Sequence, residues 1–85
     1  NVRAQHNIGV CYYEGLGLEQ SYEEAVKWFT LAADEGYPDS EYYLGVCYNN
    51  GQGVEKSRST AVKMLRRAKK GGNEEASEAL KILSE

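Results

Sequence analysis

Apolar positions along the chain recur at helical intervals. Ala4, Ile8, Cys11 and Tyr12 stand at i, i+4, i+7 and i+8, and Ser40, Leu44, Cys47 and Tyr48 repeat the spacing. Each set covers one face of a helix. Ala25, Trp28, Phe29, Ala32 and Ala33 form a second kind of face, echoed by Ala61, Met64, Leu65 and Ala68. Punctuation falls between these runs. Ser21, followed by Glu24, has the form of a capping box, and Ser57 can cap the corresponding later helix. Gly36 and the Gly71-Gly72 pair suit helix ends, and Pro38-Asp39 suits a helix entry. Ala76, Leu80 and Leu83 carry the register into a fifth helix that lacks the glycine and tyrosine of its predecessors.

The pattern repeats with a period of 36 residues. Gly9-Val10-Cys11-Tyr12 superposes on Gly45-Val46-Cys47-Tyr48, Gly15 and Gly17 on Gly51 and Gly53, and Ala25-Val26-Lys27 on Ala61-Val62-Lys63. A fixed period in this range marks a solenoid. The fold expected is all-α: a right-handed superhelix of two helix-pair repeats, about 1–36 and 37–72, with a C-terminal helix over about 73–85. The paired glycines follow a helix, and neither a third glycine nor a Gly-Lys-Ser ending comes after them. They therefore read as a chain reversal rather than a phosphate-binding loop. Leu18 and Val54 are expected to plug the two turns, and Trp28 to be the largest buried side chain.

Composition narrows the picture. Eighty-five residues with a net charge of -3 make one small domain with little reason to bind nucleic acid. No apolar run approaches the roughly 18 residues of a membrane span. The chain opens on Asn1, as a piece excised from a longer protein would. Cys11 and Cys47 are expected on neighbouring helices about 8–10 Å apart, too far for a disulfide, so both read as buried thiols. That pairing leans toward a reducing compartment such as the cytoplasm.

The stretch from Ala4 to Gly36 resembles the Sel-1-like repeat, a relative of the tetratricopeptide repeat. Ala4, Gln5, Ile8, Gly9, Tyr12, Gly15, Gly17, Leu18, Ala25, Trp28, Ala32, Ala33 and Gly36 carry the likeness in order. The second unit matches at Leu44, Gly45, Tyr48, Gly51, Gly53, Val54, Ala61, Ala68 and Gly72. It departs at Ser40, Met64 and Lys69. The resemblance implies stacked antiparallel helix pairs whose first helices line a concave groove, in proteins that act as adaptors and scaffolds.

A second stripe on the first helices would face that groove: Arg3, His6, Val10, Tyr13 and Glu14, then Asp39, Tyr42, Val46, Asn49 and Asn50, then Glu75, Glu78 and Ile82. Stacking would align Val10, Val46 and Ile82 into an apolar seam beside Tyr13, Tyr42 and His6. That seam either docks a peptide or helix of a partner protein or packs helix against helix. A third possibility makes the chain an internal stretch of a longer solenoid, flanked by further repeats and binding elsewhere. Lys63, Arg66, Arg67 and Lys70 form a basic helix face, read as solvated. His6 and Cys11 point to different helix faces, no CxxC or HExxH occurs, and no serine precedes lysine at hydrolase spacing. Neither catalysis, a metal nor a cofactor is expected.

Overall fold

The computed structural model describes residues 1–83, among which five helices follow one another: α1 (Val2–Glu14), α2 (Tyr22–Asp34), α3 (Pro38–Asn50), α4 (Arg58–Lys70) and α5 (Glu74–Leu83). The last two positions expected in the fifth helix, 84 and 85, lie outside the described residues. Packing is sequential, each helix lying chiefly against the one before and the one after. The described chain forms an elongated body of 36 × 24 × 17 Å.

Local chemistry sets the helix ends. Asn1 Oδ1 accepts from the Ala4 amide at 2.9 Å, and Ser21 and Ser57 accept from the Glu24 and Thr60 amides at 3.2 and 3.3 Å. These contacts satisfy amides that have no partner inside the helix. Only half of the expected capping box forms, because the Glu24 carboxylate turns to Lys27 Nζ at 3.0 Å. The Ser21 and Ser57 amides instead donate to the Tyr12 and Tyr48 carbonyls, at 3.0 and 2.9 Å. Each first helix thereby holds the start of its second. Gly15 and Gly51 make the reversal possible at φ 71° and 70°, a left-handed conformation that costs other residues energy. Asn73 caps α5 through the Ala76 amide at 2.8 Å and ties it to α3 by donating to Asp39 Oδ1 at 2.9 Å.

The core lies between the helix pairs. Ala25, Val26, Phe29, Leu44 and Cys47 form one buried cluster, and Leu65, Ala68 and Ala76 a second. Phe29 lies against Gly9, where a Cβ would stand 2.7 Å from the ring, and Leu65 lies equally close to Gly45. The glycines of the first helices thus let the second helices approach backbone to side chain.

The two units differ in cover, and four expectations change with it. Ser40, Leu44 and Cys47 are buried, whereas Ala4 is exposed and Ile8 and Cys11 are only half-buried. Val54 packs on the first cluster, but its counterpart Leu18 is exposed. Met64 packs there too, though like its counterpart Trp28 it is only half-buried, and Phe29 rather than Trp28 is the largest fully buried side chain. One cause explains the differences between the units: these positions of the second unit face the first unit's helices, and no described helix lies on that side of the first.

Candidate functional site

Helices α1, α3 and α5 carry the residues that periodicity assigned to a shared face. The structure does not treat them alike. Arg3, Asn50 and Glu78 are exposed, Val10, Tyr13, Tyr42, Val46 and Asn49 are half-buried, and Ile82 stands 68% exposed.

His6, expected at the groove or surface, is 8% exposed. Its Nδ1 lies 2.8 Å from Ser40 Oγ, and its ring sits among Phe29, Tyr37 and Tyr43 at centroid distances of 5.6, 5.1 and 5.5 Å. Burial lowers its pKa from the ordinary imidazole value, and the nearby Asp39 carboxylate opposes that shift. Neutral His6 is a bridge between α1 and α3. Ser40, a departure from the repeat pattern, is the residue it bridges to.

Tyr13 is also part of the core wall. Its ring packs on Tyr22, Phe29 and Tyr43, at 5.2, 6.2 and 5.5 Å, and its hydroxyl donates to Gln52 Oε1 at 2.8 Å. Tyr43, which periodicity passed over, completes the cluster. It stacks on Phe29 at 4.9 Å with a 19° interplanar angle and touches Tyr42 at 5.7 Å. Its counterparts one unit away are Asn7 and Ala79, so the repeat gives no hint of it. Its place three residues before Val46 and four after Asp39 could have put it on the stripe.

The face is acidic around these tyrosines. Burial raises the Tyr43 pKa, and the charges of Glu14, Glu75 and Asp39 raise it further. Tyr42 is shifted the same way by burial and by Glu75. Where α3, α4 and α5 meet, Val46, Asn49, Leu65, Ala79, Ile82 and Leu83 line a cavity of about 150 Å³. Val46, Asn49 and Ile82 are therefore brought together, while Val10 packs against the first core cluster.

Lys63, Arg66, Arg67 and Lys70 are exposed on α4. Arg66 and Lys69 line an adjoining cavity of about 420 Å³ with Val62, Leu80 and Leu83, the last of which it shares with the first. Among the described residues, no group of three or more His, Cys, Asp or Glu could hold a metal ion, and no helix is long and apolar enough to cross a membrane.

Comparison with known proteins gives this architecture relatives. The chain superposes on the crystal structure of a Sel1 repeat protein from Oxalobacter formigenes with a TM-score of 0.93 and 35% identity, over 98% of this chain and 34% of that one. It superposes on c5321, a protective antigen of uropathogenic Escherichia coli strains displaying an SLR fold, with a TM-score of 0.87 and 36% identity. That match covers 89% of this chain and 16% of c5321. The sel1-like repeat-containing protein L21 of Acanthamoeba polyphaga mimivirus is 40% identical over 42 residues, 49% of this chain and 8% of the viral protein. The chain thus spans between 8% and 34% of the length of these relatives. Repeats of this kind generally mediate protein interactions and are generally not catalytic. Residues 2–37 and 38–73 each match the Sel1 repeat, and with the five sequentially packed helices they show that the chain belongs to the Sel1 repeat family.

Proposed function

We propose that the face shared by α1, α3 and α5 is a groove that docks a peptide or helix of a partner protein, so that the chain works as an adaptor or scaffold module. One observation carries this reading: Val46 and Ile82, from successive first helices, open a common apolar cavity on a face otherwise rimmed by half-buried tyrosines and carboxylates. Apolar anchors inside a polar rim are the usual anatomy of a protein-binding surface. Arg3, Tyr42, Asn49, Asn50 and Glu78 supply the rim, while His6 and Tyr13 act from behind by fixing α1 against α2 and α3. The experiment is affinity capture from the native host, followed by calorimetry with the partner so identified. Tyr42→Ala and Ile82→Asp should each weaken binding at least tenfold without loss of helicity. Undiminished binding by both variants defeats the reading.

A second reading, an internal course of a longer solenoid flanked by further repeats, draws on the open side of the first unit. Ile8 and Cys11 are half-exposed and Leu18 is exposed, where their counterparts Leu44 and Cys47 are buried and Val54 packs on the first core cluster. End-to-end self-association in sedimentation, abolished by Leu18→Glu, favours this second role. A clean monomer that binds the partner with full affinity favours the first.

A further inference from the structure

The cavity at the junction of α3, α4 and α5 gains meaning when compared with its counterpart one repeat earlier. Its residues Asn49, Leu65 and Ala79 correspond, 36 positions back, to Tyr13, Phe29 and Tyr43. At the earlier junction those three are aromatic and lie ring to ring, with centroids 6.2, 5.5 and 4.9 Å apart. The valines and the glycine are retained: Val10 and Val46 correspond to Val46 and Ile82, and Gly9 to Gly45. The same walls therefore stand at both junctions, but at the second the rings have become an amide, an isobutyl group and a methyl group. The result is an open apolar space of about 150 Å³. A space of this size admits about one benzene-sized ring.

The surroundings specify what comes with the ring. Glu75 and Glu78 lie on the same stripe of α5 as Ala79 and Ile82, at i, i+3, i+4 and i+7. Asp39 and Glu14 approach the neighbouring Tyr43, and all four carboxylates belong to exposed residues. Three cations lie near: Arg3 is exposed on α1, Lys81 lies 3.7 Å from Glu78, and Arg58 donates to the carbonyl of cavity-lining Leu83. On the stripe of α1, α3 and α5 itself, the carboxylates of Glu14, Asp39, Glu75 and Glu78 stand against Arg3 alone, which favours cationic side chains on a segment laid along it.

We propose that this cavity is the anchor subsite for the partner, receiving one aromatic side chain of a segment that carries lysine or arginine beside it. The bound ring takes the place that Tyr43 holds at the first junction, so the partner completes the repeat's own aromatic packing. The inference rests on the groove reading above, and adds the chemistry of the guest.

Nuclear magnetic resonance on the isotope-labelled chain tests it with three defined peptides: acetyl-Lys-Ala-Tyr-Ala-Lys-amide, the same peptide with Ala for Tyr, and the same peptide with Glu for both Lys. The first should shift the amides of Val46, Asn49, Ala79 and Ile82, and each of the others should bind at least tenfold more weakly. Ala79→Tyr restores the ring from within and should remove the response. Asn49→Tyr, at the cavity's half-exposed rim, does the same if the first variant does not fold. Equal binding of the Tyr and Ala peptides overturns the subsite, as does a folded filled variant that responds as the wild type does. The two readings separate on the captured partner. If Tyr42→Ala and Ile82→Asp abolish its binding while Ala79→Tyr leaves it intact, the groove stands and the aromatic subsite falls.

Discussion

Phe29 offers the sharpest test of the packing. Its side chain is fully buried between α1, α2 and α3, with rings of His6, Tyr13 and Tyr43 at 5.6, 6.2 and 4.9 Å and the Gly9 backbone pressed against it. Truncation to alanine removes the apolar transfer energy and leaves a cavity the neighbouring rings cannot close, a loss of about 3–5 kcal/mol. Trp28 is larger but half-exposed, so its alanine variant should lose clearly less, about 1–2 kcal/mol by the area it buries. For a domain of this size, 1 kcal/mol moves the melting temperature by roughly 4–8 °C. Phe29→Ala should therefore melt at least about 12 °C below the wild type, with Trp28→Ala between them. Circular dichroism at the helical band, by heat and by urea, reads both. If Trp28→Ala proves the more damaging, or Phe29→Ala melts within a few degrees of the wild type, the core has been placed on the wrong side of α2.

Two further outcomes follow from buried titratable groups. Because burial holds the folded pKa of His6 below its unfolded value, the unfolded chain binds the extra proton first. Stability should then fall as pH drops through the ordinary imidazole value of about 6.5, and His6→Gln should flatten that limb of the urea-midpoint profile. An unaltered profile in the variant refutes the burial of a neutral ring. Burial also pushes the Cys47 thiol up to about 11, leaving on the order of one thiolate in a thousand at pH 8. Half-buried Cys11 should react first with a thiol reagent, and Cys47 only on unfolding. Simultaneous labelling of both in the native state contradicts the packing of α3 against α2 and α4.

The fold was readable because its signals are redundant. Gly15 and Gly51, Ser21 and Ser57, and Gly9 and Gly45 each occur twice at one spacing, and each does the same physical job in both units. The errors arose where position in the stack, rather than position in the repeat, decides burial. Ile8 and Leu44, or Trp28 and Met64, are equivalent in sequence but not in neighbours, and no single-helix pattern records what lies on the far side. His6 misled for a different reason. Its polar ring sat on a stripe that reads as surface, and only its bond with Ser40, 34 residues away, makes its burial tolerable. Tyr43 breaks the period, so only its helical spacing from Asp39 and Val46 pointed to it, and the cavity beside Ala79 was invisible because it is an absence of volume.

Neighbour-only packing has a mechanical corollary. With each helix leaning chiefly on those beside it, the spread between α1 and α3 is held by a wedge of stacked rings, and that between α3 and α5 by slimmer aliphatic groups. The chain should then behave as a pair of calipers shimmed at its hinges: thickening the ring wedge or the aliphatic one sets the opening of the jaws, and at the second hinge the shim is also the floor that a guest would meet.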